Sequence, residues 1–180
     1  MPFPEGFPGH GLRYAASKIL AHQATRNFLQ ENKPHYNLAT FHPTFVLGDS
    51  LIQDSAESID GINGLFWKSL FSEKPMMPSG AWVHVRDIAD AHVKVIEASF
   101  GSGKEFLLSG PNLSWEDAIK FIEANYPGFS CKLQPPFEGG WKVDVAAANQ
   151  VLGIKWRPQQ TVIKDVITQQ LLFQEKGIQI

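Results

Sequence analysis

Between Leu12 and about Glu31, the apolar residues Ala15, Ala16, Ile19, Leu20, Ala24, Phe28 and Leu29 recur at helical spacing, and Pro34 lies just beyond them. The pattern predicts a long, well-buried helix. Before it, Met1 to Gly9 holds three prolines and two glycines and reads as an extended or turning lead-in. Asn37 to Leu47 is rich in Leu, Thr, Phe and Val and stops at Gly48-Asp49, which predicts a strand, with Pro43 where its pairing should end. Further helices are expected at Ile62 to Phe71, at Arg86 to Ser99 with an apolar stripe on Ile88, Ala89, Val93 and Ile96, and at Ser114 to Tyr126. In the last of these Ser114 is the N-cap and Asp117 follows three residues on. Short strands are expected at Trp82 to Val85 and Glu105 to Leu108, a short helix at Val143 to Leu152 stopped by Gly153, and a terminal helix at Thr161 to Gln174. Helices alternating with strands indicate an α/β fold.

Composition narrows the class. The chain has 180 residues, 43% hydrophobic and 19% charged, enough to bury one substantial core. A formal net charge of −2 gives no field that would draw nucleic acid or an anionic membrane, so neither is expected as a partner. The single cysteine, Cys131, has no internal disulfide partner, and the chain does not open on a secretory leader pattern. A soluble, cytoplasmic protein is the expectation.

The sharpest chemical signal is Tyr14-Ala15-Ala16-Ser17-Lys18, which puts a phenol and an ammonium on one face of the first helix. A nearby ammonium favours the phenolate, so the two can exchange a proton with a carbonyl or alcohol oxygen. Alone, such spacing more often marks a ring beside a solvated cation. His84 and His92 lack a cysteine or carboxylate at ligand spacing, so they read as packing and hydrogen-bonding residues and no metal is expected. Asp87 suits a helix N-terminus and the hydrogen bonds of a neighbouring loop. Phe66, Trp67, Met76 and Met77 could line a pocket, but aromatic residues at helical spacing are more often core.

Three segments in order give the chain a resemblance. Tyr14-x-x-x-Lys18 begins a long helix, Phe41-His42-Pro43-Thr44-Phe45-Val46-Leu47-Gly48 ends a strand in a proline turn, and Val83-His84-Val85-Arg86-Asp87-Ile88-Ala89-Asp90-Ala91-His92 joins a strand to a helix. From about Leu12 onward the chain resembles the extended short-chain dehydrogenase/reductases of the NAD-dependent epimerase/dehydratase superfamily. The nearest branch is that of dihydroflavonol, cinnamoyl-CoA and fungal methylglyoxal or aldehyde reductases. The resemblance implies NAD(P)H-dependent reduction of a ketone or aldehyde, with Tyr14 as proton donor and Lys18 holding the nicotinamide ribose and favouring the phenolate. It further implies that Pro43 and the backbone of Thr44, Phe45 and Val46 lie against the nicotinamide. Ser17 does not correspond to the family's catalytic serine, which precedes the tyrosine on a separate strand. Nucleotide-sugar epimerases and hydroxysteroid dehydrogenases of the same superfamily stay open, as does a non-catalytic interaction module.

A complete member begins with a strand and a Gly-x-x-Gly-x-x-Gly turn. The nearest glycine cluster here, Gly101-Ser102-Gly103, follows a helix and fails that context. The expected fold is therefore the C-terminal portion of a Rossmann-like, doubly wound parallel sheet with a small α/β substrate lobe, the nucleotide-binding strands being absent. Residues 1–50 would be the remnant of the Rossmann core and 51–180 mostly the lobe with returning core elements. The site for NADP or NAD would be incomplete, and an apolar surface is expected around Ala16, Leu20 and Ala24, with homodimerisation through the first helix as one way to cover it.

Overall fold

The computed structural model describes residues 6–177. The chain folds into two compact units, one of residues up to Thr40 together with Phe100–Glu105, the other of Phe41–Ser99 together with the chain from Phe106 onward.

The first unit is built on α1 (Gly6–Asn32). It starts six residues earlier than the Leu12 expected from periodicity, because Pro8 falls in the first turn, where a missing N–H breaks no hydrogen bond. The helix is long but not well buried. Leu12, Ile19 and Leu20 are exposed, Leu20 by 63%. Ala24 is exposed and Ala16 half-buried, so the expected apolar surface is present. Periodicity marks an apolar side and cannot supply the neighbour that covers it. The loop through 100–103 is tied to the end of the unit by the Leu38 amide donating to Ser102 Oγ (3.2 Å) and the Gly103 amide donating to the Leu38 carbonyl (2.8 Å).

After α1, Lys33 takes a left-handed conformation (φ 42°), and its N–H donates to the Leu29 carbonyl at 3.3 Å. A side chain there meets its own carbonyl, which glycine avoids. Lys33→Gly is expected to raise stability by about 0.5–1 kcal/mol, read as an upward shift of the helical thermal transition.

The single expected strand over 37–47 is two. β1 (Ala39–Pro43) pairs with β4 (Lys104–Leu108), and β2 (Phe45–Leu47) pairs in parallel with β3 (Trp82–His84), Phe45 opposite Trp82 and Leu47 opposite His84. The change of partner takes one residue. Pro43 has no N–H to give, the Thr44 amide donates to Leu108, and the Phe45 amide already donates to Ala81 (3.0 and 3.1 Å).

Around β2 and β3 sit α2 (Gly61–Leu70), α3 (Val85–Glu97), α4 (Trp115–Asn125), α5 (Ala146–Leu152) and α6 (Gln159–Gly177). Leu47, Phe66, Trp82, Trp115, Ile122, Ile163 and Ile167 form the centre of the core. The Phe66 ring stacks on Trp115 (centroids 5.7 Å, 13°), and Trp82 meets Trp115 edge-on at 5.0 Å. The helix ends follow their residue types. Ser114 Oγ accepts from the Asp117 amide at 3.0 Å, and Gly153 closes α5 in the left-handed region at φ 59°.

Of the stripe predicted for α3, Ile88 is half-buried and the rest of its apolar residues are open. Ala89, Val93 and Ile96 are exposed, Ile96 by 83%, and the buried positions are Asp87 and Ala91. The helix is fastened on its buried side by a charge pair. Asp87 accepts the Arg157 amide (3.1 Å) and the Arg157 guanidinium, which also reaches Asp90 at 2.8 Å. The sequence reading of Asp87 as an acceptor for a neighbouring loop matches this geometry.

The stretch after β2 is fastened to α6. Gln169 accepts from the Ser50 amide (2.7 Å) and donates to its carbonyl (2.8 Å), while Gln170 donates to the Ala56 carbonyl and accepts from Gln53. Among the described residues, no helix is long and apolar enough to cross a membrane.

Candidate functional site

Tyr14 and Lys18 are one turn apart on α1, and the lysine Nζ lies 5.3 Å from the centre of the tyrosine ring. That is close enough for the ammonium to interact with the ring face. The Tyr14 side chain is open to approach, with the residue 60% exposed. Ser17 Oγ donates to the Tyr14 carbonyl at 2.7 Å, so this hydroxyl is engaged by its own helix.

Pro43 to Val46 belong to the second unit. Pro43 is exposed and Thr44 half-buried, with Thr44 Oγ1 also donating to the Leu108 carbonyl at 3.3 Å. The Thr44 and Phe45 amides are both committed to backbone carbonyls, so neither is a free donor. Val46 lines a cavity of about 430 Å³ together with Gly48, Asn63, Val85 and Arg86.

Beside this cavity is a charged cluster that sequence spacing does not reveal. Arg86 bridges Asp49 (2.6 Å) and Asp165 (2.8 Å). The buried His84 sits against Asp165 through Nε2 (3.0 Å), and its Nδ1 accepts the Arg86 amide at 3.0 Å. An Nδ1 that accepts carries no proton, so Nε2 is the donor to the carboxylate. Asp49, His84 and Asp165 are near enough to share a cation, but the Arg86 guanidinium is already on both carboxylates. His84 is thus the N-cap of α3 and a partner of α6, in keeping with its reading as a hydrogen-bonding residue.

The four pocket candidates divide. Phe66 and Trp67 are core, as expected. Met76 and Met77 line a cavity of about 480 Å³ with Trp115, Phe137 and Trp141. Trp141 was not foreseen; it lies against Phe45 in a tilted arrangement, with centroids 5.9 Å apart and planes at 33°. Its place in Phe137-Glu138-Gly139-Gly140-Trp141, a loop with no periodicity to bury it, is the signal that could have shown it.

The chain is 32% identical over 177 residues to the ketoreductase sphI of Aspergillus fumigatus, covering 94% of this chain and 52% of that protein. It belongs to the extended short-chain dehydrogenase/reductases. Solved structures of that family share its fold. Yeast methylglyoxal/isovaleraldehyde reductase Gre2, complexed with NADPH, matches with a TM-score of 0.75 at 22% identity, over 91% of this chain and 52% of that one. Alfalfa vestitone reductase matches with a TM-score of 0.75 at 20% identity, over 93% and 53%. No protein-family model matches the chain. The chain spans about half the length of the curated relatives it matches, 52% in the case of sphI. Its α/β architecture with parallel strands is that of the C-terminal half of these Rossmann-like reductases.

Proposed function

We propose that the chain carries the proton-donating and nicotinamide-contacting half of an NADPH-dependent carbonyl reductase that converts a ketone or aldehyde to an alcohol. One observation carries the reading: the Tyr14–Lys18 pair stands on one helical face, open to a ligand, in a chain one-third identical to a ketoreductase. A bound nicotinamide supplies the hydride that reaches the carbonyl carbon. Tyr14 then gives its phenolic proton to the carbonyl oxygen as charge develops there, and Lys18, one turn along the same face, holds the ribose hydroxyls. Pro43 to Val46 offer the nicotinamide an exposed proline, a half-buried threonine and a valine at the rim of a cavity. The preference for NADPH is supported by the Gre2 complex, whose fold this chain shares.

The test is a titration of the purified chain with NADPH, followed by energy transfer from its five tryptophans to the reduced nicotinamide. With no Gly-x-x-Gly-x-x-Gly turn among its motifs to hold the pyrophosphate, the chain alone is expected not to saturate with NADPH. Saturable binding weakened at least about tenfold by the double substitution Tyr14→Phe, Lys18→Ala would show that the nicotinamide half suffices, whereas saturable binding that the double substitution leaves unchanged rejects the roles given to Tyr14 and Lys18.

A further inference from the structure

We infer that the cavity bordered by Gly80 and the loops at 109–112 and 141–145 binds a planar aromatic carboxylate, its ring against the indoles of Trp141 and Trp156 and its charge on Lys142. The inference goes beyond the carbonyl-reductase reading and takes nothing from it. The cavity measures about 310 Å³, enough for a molecule of one or two rings, and all of its lining residues belong to the second unit.

Its floor is bare backbone, kept clear by glycine. A Cβ on Gly110 would come within 2.6 Å of the Gln159 amide nitrogen and 2.7 Å of the Trp82 carbonyl, so the chain lies flat there. Gln159, 2% exposed, pins this floor by donating to the Trp82 and Pro111 carbonyls, both at 2.7 Å. Gly80 sits at φ +88°, and a Cβ on it would strike the side-chain oxygen of Asn112. The Asn112 carboxamide is therefore laid over Gly80 at the edge of the cavity. The walls carry two indoles. The Trp156 ring is fixed by its N–H, which donates to Asn149 at 2.8 Å, while Trp141 keeps much of its surface open.

Charge decides the class of occupant. Of the residues lining the cavity, Lys142 alone is charged, and no ion pair among the described residues holds its exposed ammonium. Asp144, two residues on, accepts the Ala146 amide at the start of α5 (2.9 Å) and does not line the cavity. Ser109, 4% exposed, makes a long hydrogen bond to the carbonyl of the next residue (3.3 Å), which a carboxylate oxygen would replace with a stronger one. An ammonium and a hydroxyl beside two ring systems, with no acid among the lining residues, suit an aromatic carboxylate and disfavour an amine.

The experiment is a calorimetric titration of the full chain, without cofactor, using three probes of one skeleton: 2-naphthoate, the neutral 2-naphthamide, and the saturated decahydro-2-naphthoate. Naphthoate is expected to bind at least tenfold more tightly than either of the others. Lys142→Gln should bring naphthoate down to the level of the amide. Lys74→Gln, in the cavity lined by Met76 and Met77, should leave it unchanged. Both lysines are exposed, so neither replacement threatens the fold. No naphthoate binding, equal affinity for the three probes, or a naphthoate affinity that survives Lys142→Gln overturns the inference. Loss with Lys74→Gln in place of Lys142→Gln would put the ligand in the other cavity and overturn it as well. Because no nicotinamide is present, failure of the reductase reading leaves these outcomes untouched.

Discussion

Asp87→Ala is expected to lower the unfolding free energy by about 1–3 kcal/mol, measured by urea denaturation, because it removes a buried acceptor from both the Arg157 amide and its guanidinium. The Asp87 side chain is 1% exposed and receives both the Arg157 backbone amide and its guanidinium. Without the carboxylate, an amide and part of a cation lose their acceptor where water reaches poorly. Arg157 is held above its ordinary pKa, first by its hydrogen bond to Asp90 and then by Asp87. That order does not carry over to stability. The Asp90 carboxylate is half exposed and stays solvated when its partner is lost, so Asp90→Ala should cost less than about 1 kcal/mol. Equal losses from the two substitutions would mean that burial is not what makes the Asp87 pair matter.

Trp115→Ala should cost more, about 3–5 kcal/mol, by emptying the centre of the core. Trp115 is 1% exposed, stacked on Phe66 and crossed by Trp82. Its indole also satisfies the Met77 carbonyl at the wall of the cavity lined by Met76 and Trp141. Trp115→Phe keeps most of the ring contact and removes the hydrogen bond, so it should lose only about 1–3 kcal/mol. If Trp115→Phe were as damaging as Trp115→Ala, the hydrogen bond rather than ring packing would be the dominant contribution.

The helices with local end signals were legible from sequence. Ser114 caps α4 and Gly153 closes α5 because those side chains, or the lack of one, act within a few residues of themselves. Pro43 was rightly placed where pairing stops, but nothing local says that Phe45 starts pairing again with a strand near residue 82. The partner that fastens α3 was missed for the same reason, since Asp87 meets it 70 residues away. The Tyr14–Lys18 pair was visible as a helical spacing. The Asp49–Arg86–Asp165 cluster and Trp141 were not, because their meaning depends on loops brought together by the fold.

The two glutamines of α6 set an order on folding. Ser50 waits for a residue 119 positions later, and Ala56 for one 114 positions later. Closing loops of that span costs entropy that is recovered only when the whole stretch is present. Folding of the stretch after β2 is therefore coupled to α6: it is fastened only once Gln169 and Gln170 are in place.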